Sequence, residues 1–325
     1  MSMRKKGFIV GSTVALMMVL IGCVTNEKSE SIDTGSEKNY SEPKLNLSFG
    51  TMPATDALPI LVASQEGYFV DEGVTVDIQN FKSPKDRDMA LRNGHLDGVS
   101  TDMIAFSTYR ENEAKVRLTS ASIGYFSLLS GDSTVTNLSE LKGHSVSYFK
   151  NQAPHYFLDE AMKTVNLTSD DLEFKEAHNV TTRIELVQNK QVTATIVPDP
   201  FRAIGLKDGL TELAKSDDLD IKPNAFAFTE KTIQTNSEGI KAFYRAYNKG
   251  VDFIQNHDLD TYYAILEKEL GYSKAIKESV EFPTYVYAEP VDQKQLEEAI
   301  SWATNKGIFT KDWTFEELTS TVAFD

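Results

Sequence analysis

From Leu45 onward the chain switches between two hydrophobic rhythms. Stretches such as LNLSFG (45–50), VTVDIQNF (74–81), SVSYF (145–149) and TATIV (193–197) alternate or run apolar over a few residues, which predicts strands. GVST (98–101), LTSASIG (118–124) and LEFKEA (172–177) read the same way. Between them lie ALPILVASQEGYF (57–69), PKDRDMALRNG (84–94), DMIAFSTYRENE (102–113), APHYFLDEAMKTV (153–165) and TTRIELVQNK (181–190), which carry the three-to-four spacing of helices. Alternation of strand and helix predicts an α/β architecture with a mostly parallel sheet. Near the end, EGIKAFYRAYNKGVDFI sets Ile240, Phe243, Tyr244, Tyr247 and Val251 on one face of a long helix, a packing stripe. QLEEAISWATNKG and TFEELTST are further helices, with Trp302 and Trp313 as packing residues.

The joints between strand and helix carry the candidate chemistry. In PATDALPILVASQEGYF, Thr55 or Asp56 is expected to cap the helix, Pro59 falls in its first turn, and Gly67 suits the left-handed residue that ends it. Ser100, Thr101 and Asp102 follow a later strand; Lys150, Asn151 and Gln152 follow another; Asp199 lies between two prolines after TATIV. Each group alone is explained by helix capping. Together they suggest a shared crevice, because loops at the carboxyl ends of neighbouring strands converge in open α/β sheets.

Composition narrows the class. With 325 residues, 41% of them hydrophobic and 25% charged, the chain can bury a large core and form two domains. A formal charge of -15 argues against nonspecific nucleic-acid binding. The N-terminus reads as a secretory signal: basic MSMRKK, apolar GFIVGSTVALMMVL, then LIGC. That ending resembles a bacterial lipobox, in which the cysteine after Gly22 is acylated, and Cys23 is the single cysteine of the chain. Residues 1–22 are thus expected to be a signal peptide and Cys23 a lipidation site. Residues 23–44, nearly devoid of apolar side chains, are expected to be a flexible tether. The protein is expected at the extracytoplasmic face of a cell membrane, without disulfides or thiolate chemistry.

The order of motifs after the tether resembles the NMT1/THI5-like solute-binding proteins of ABC importers, which include sulfonate, nitrate and thiamine-pyrimidine binders. The matching pieces are Gly67-Tyr68-Phe69, Glu72-Gly73-Val74, Gly94-His95-Leu96-Asp97-Gly98, LSELKGHSVSYFKN, QNKQVTATIVPDPF and the EGIKAFYRAYNKG helix. The resemblance implies a type II periplasmic-binding-protein fold of two α/β lobes joined by two crossover segments. The strand breaks then place lobe 1 at 45–127 and 226–325, and lobe 2 at 128–225. The resemblance also implies a small-molecule solute, an ABC permease with its ATPase as partners, and a monomer without cofactor or metal. Where Gln152 stands, the family commonly carries a small hydroxyl residue.

On this reading the solute is expected to meet Thr55, Asp56, Ser100, Thr101, Asp102, Asn151, Gln152, His155, Tyr156 and Asp199. Helix starts favour anions, whereas three carboxylates favour amine or amide donors. The balance points to a heteroaromatic, thiamine-pyrimidine-like solute ahead of a sulfonate or nitrate. Two other readings remain: an enzyme of the same fold, resembling the pyrimidine synthases, and a surface adhesin or sensor. The five histidines show no HxxxH or HxH spacing, and GxSxG is absent. Neither repeats nor a second module mark an adhesin.

Overall fold

The computed structural model describes residues 45–325; the signal, Cys23 and tether lie outside the described residues. Two five-stranded sheets divide the chain. The first runs in the order β2 (Val74–Asn80), β1 (Leu45–Thr51), β3 (Gly98–Asp102), β10 (Asn224–Thr229), β4 (Val116–Ala121). The second runs β7 (Glu173–Glu176), β6 (Ser145–Tyr148), β8 (Ala194–Val197), β5 (Ser127–Ser130), β9 (Thr211–Lys215). The two sheets have equivalent topologies. In each, three strands pair in parallel while β10 or β5 inserts antiparallel between two neighbours.

This corrects the expectation of a mostly parallel sheet. The strands that sequence rhythm did not reveal, β5, β9 and β10, are those that bring in the antiparallel pairs. SLLS is too short to show a period, and TELAK is half polar. NAFAFT is an unbroken apolar run over its middle four residues, all buried because the strand lies inside the sheet. The chain changes sheet at 122–126 and again at 216–223, slightly ahead of the breaks expected after 127 and 225. The two crossings are tied together, since the Phe126 N–H donates to Ser216 Oγ at 3.0 Å and the Ser216 N–H to the Phe126 carbonyl at 2.9 Å.

Lobe 1 is built on aromatic packing. Phe49 of β1 meets Phe226 and Phe228 of β10 and Phe243 of the helix Ser237–Asn256, with centroids 4.7–5.8 Å apart. That helix is the expected packing stripe, with Ile240, Phe243, Tyr244, Tyr247 and Val251 buried. It lies so close to the helix Leu58–Gln65 that a Cβ on Gly250 would stand 2.2 Å from the Pro59 carbonyl oxygen. Only glycine permits that approach. Pro59 occupies the first turn as expected, and Gly67, at φ 78°, supplies the left-handed residue beyond the helix.

A third element spans the lobes. The helix Gln293–Asn305 packs against Met103–Glu111 of lobe 1, while Trp302 Nε1–H donates to Asp159 Oδ2 of lobe 2 at 2.9 Å. Lys306 Nζ reaches the same carboxylate at 2.6 Å. The C-terminal region therefore covers lobe 1 and also grips lobe 2.

Candidate functional site

Between the lobes lies a cavity of about 80 Å³. Lobe 1 contributes the turn after β1 (Thr55, Asp56), the end of β3 (Ser100, Thr101, Asp102) and Arg87 from the helix Pro84–Arg92. Lobe 2 contributes Phe149, Gln152, Pro154, Val180 and Arg183, and the first crossing adds Gly124, Tyr125 and Phe126. The walls are mainly apolar, with a few convergent polar groups, as small-molecule sites usually are.

Six of the expected residues, Thr55, Asp56, Ser100, Thr101, Asp102 and Gln152, come together on this cavity. The other four do not line it. Asn151 is exposed in a turn at φ 59°. His155 is packed between Tyr148 (5.2 Å, stacked) and Trp302 (4.9 Å, edge-on), and Tyr156 also lies against Trp302, with centroids 5.5 Å apart. Both are held in core because the helix Ala153–Lys163 is buried along most of its first two turns. Asp199 accepts from the Tyr125 hydroxyl and from the Ala203 N–H at 3.1 Å, so it is spent inside the structure.

The carboxylates that do face the cavity are also engaged. Neither Thr55 nor Asp56 caps the helix, contrary to expectation: the chain makes a single 3₁₀ turn at Thr55–Ala57 without a side-chain cap. Asp56 instead accepts from the Ser100 hydroxyl across the sheet edge. Burial pushes its pKa up, opposed by that bond and by the nearby Arg87. Asp102 does cap its helix, with Oδ1 accepting from Ile104 N–H at 2.9 Å and Ala105 N–H at 2.8 Å. Burial raises its pKa to about 6 in spite of these donors.

Two arginines were not anticipated from sequence. Arg87 is 4% exposed and fully tied: Nε and a terminal nitrogen clasp Asp88 Oδ1 at 2.9 and 2.7 Å, and the other terminal nitrogen donates to the Ser100 carbonyl at 2.8 Å. The Tyr109 hydroxyl completes the group, donating to Asp88 at 2.5 Å. Arg183 is 2% exposed, and its situation is the opposite. One terminal nitrogen donates to the Ala177 carbonyl at 3.2 Å, Nε is buried with no partner, and no carboxylate pairs with it among the described residues. Burial alone lowers its pKa to about 10. A buried guanidinium without a counter-charge is costly, and its free donors match a planar or tetrahedral oxyanion.

A signal for both was present in the sequence. Each stands in the first turns of a helix, where a cation opposes the helix dipole and is disfavoured unless something nearby compensates it. Among the described residues, no group of three or more metal-ligating side chains forms.

Residues 54–259 match the family profile described as "NMT1/THI5 like". A nitrate/nitrite binding protein, NrtA, from Nostoc is 31% identical over 117 residues, a match covering 30% of this chain and 26% of that protein. The match therefore spans about a quarter of the relative. Among solved structures, the ligand-binding component of an ABC-type import system from Staphylococcus aureus, with zinc bound, superposes with a TM-score of 0.73 at 15% identity, covering 86% of this chain and 98% of that one. The aliphatic sulphonate binding protein SsuA from Escherichia coli gives 0.71 at 16%, covering 85% and 92%. The desulfurization enzyme DSZB has the fold as well, at 0.62 and 11% identity. The fold is the type II periplasmic-binding one.

Proposed function

Because the chain belongs to the NMT1/THI5-like family, we propose that it is the solute-binding component of an ABC importer. It captures a small solute between its lobes and presents the closed form to a membrane permease driven by an ATPase. The observation that carries this reading is the cavity between two lobes with one uncompensated cation, Arg183, on its wall.

The same observation bears on the solute. The sequence argument for a thiamine-pyrimidine-like ligand rests on three carboxylates near the cleft. Asp56, Asp102 and Asp199 all have internal donors, so that argument loses its footing. Arg183 instead favours a compact solute with an acidic group, whose apolar remainder rests on Phe149, Phe126 and Val180. The SsuA and NrtA relatives, whose names refer to sulphonate and nitrate, are in line with this.

An enzymatic role has less support, although DSZB shares the fold. Ser100 faces a carboxylate and no histidine lines the cavity, so a nucleophile and base pair is not assembled among the described residues. We further infer that the signal is removed and Cys23 acylated, holding a monomer at the extracytoplasmic face of the membrane.

Native mass spectrometry of the chain purified from rich medium tests the reading. A retained small molecule bearing an acidic group is expected. No retained molecule, together with no calorimetric response to nitrate, alkanesulfonates, carboxylates or the thiamine pyrimidine, would overturn it.

A further inference from the structure

The helix Ala153–Lys163 begins at the cleft with an unusual arrangement. Its N-cap residue, Gln152, makes no capping bond with its own side chain. The first helical N–H, that of Ala153, donates instead to Asp102 Oδ1 at 3.1 Å, and Asp102 belongs to the opposite lobe. One carboxylate oxygen thus receives Ile104 and Ala105 from its own helix and Ala153 from the facing one. The starts of two helices, one per lobe, converge on a single negative charge, the arrangement their dipoles favour. The Gln152 side chain, released from capping, crosses the cleft as well: its Nε2 donates to Asp88 Oδ2 at 3.1 Å.

We propose that Asp102 is a positioning residue that caps the lobe 2 helix in trans and so draws the cleft shut with the protein's own carboxylate, before any solute arrives. Opening the lobes strips the Ala153 N–H of its acceptor and the Gln152 amide of Asp88, so separation carries a cost that solute binding does not have to overcome on the way back. The clasp has a second consequence. Since Asp102 already fills the place where the two helix starts meet, an acidic solute is turned away from them and toward Arg183. The inference rests on reading the two lobes as the jaws of a solute cleft, and it is tested without solute so that the two can fail separately.

Hydrogen exchange on the full chain in detergent, free of solute, reads the clasp directly. Asp102→Ser keeps a short oxygen able to cap Met103–Glu111 but too short to reach Ala153 as well. Exchange in the segment around Ala153 should rise about fivefold, the equivalent of one lost hydrogen bond of roughly 1 kcal/mol, while Met103–Glu111 keeps its protection. Gln152→Ala should raise exchange in the same segment by a smaller factor, and it decides the matter if Asp102→Ser does not fold. Unchanged exchange around Ala153, or an equal rise in both helices, would show Asp102 to be an ordinary cap and overturn the proposal.

Discussion

Arg87 and Arg183 occupy the same place in their helices, each the fourth residue, and they face one cavity from opposite lobes. Arg87 is neutralised by Asp88 beside it, whereas Arg183 has no such neighbour. Equivalent topology thus delivers two cations to the cleft, and one of them, Arg183, is left without a counter-charge.

That asymmetry makes opposite predictions for stability and binding. Arg183→Met removes an unpaired buried charge and replaces it with an apolar chain of similar length. The solute-free protein should become more stable by about 1–4 kcal/mol, seen as a higher denaturation midpoint. The same variant should lose affinity for an acidic solute by roughly 2–5 kcal/mol in titration calorimetry. A variant that is less stable and binds as before would mean that Arg183 is a structural residue.

The parallel strands and the helices between them were legible because each carries its own period. The antiparallel insertions were not, since SLLS shows no alternation and owes its strand to partners on both sides. At the site, sequence pointed to the strand ends but not to what each side chain does there. Asp56 looks like a cap and is instead a partner of Ser100. Whether a carboxylate is free or spent depends on contacts between residues distant in sequence, such as Tyr125 with Asp199, and no local pattern encodes them. Arg87 and Arg183 were missed although both leave a local trace, since a cation in the first turns of a helix is an anomaly.

The proposed membrane attachment rests on the N-terminal signal pattern alone. Cys23→Ala should abolish metabolic labelling with a fatty acid and shift the protein from the membrane fraction, or leave it there with its signal uncleaved. Normal processing and membrane retention in the variant would rule out acylation at this residue.

Gly250→Ala probes the packing of the helix Ser237–Asn256. The added methyl would lie 2.2 Å from the Pro59 carbonyl oxygen, which is backbone and has no rotamer to yield. The helices Ser237–Asn256 and Leu58–Gln65 must move apart, at a cost of about 1–3 kcal/mol. Thermal denaturation should register a loss of several degrees. Alanine is otherwise the better helix former, so an unchanged or raised melting temperature would mean the two helices are not held at this distance.

His155 gives the protein a defined response to acid. Burial between Tyr148 and Trp302 lowers its pKa to about 4, against about 6.5 in the unfolded chain. Between those values the unfolded chain binds a proton that the folded one refuses, so this residue's contribution to stability is present near neutrality and is lost as pH falls. Asp102 acts in the opposite sense, because its pKa is raised to about 6 and protonation there favours the fold as pH falls through that value. The two partly cancel in the native protein. His155→Phe keeps an aromatic ring in the slot, and Nδ1 has no hydrogen-bond partner to lose. The variant should therefore gain on the native protein as pH is lowered from about 7 to about 4.5, its advantage in melting temperature growing through the range in which free histidine titrates. A melting-temperature difference that stays constant over the same range would show that His155 is protonated as readily in the fold as in the unfolded chain.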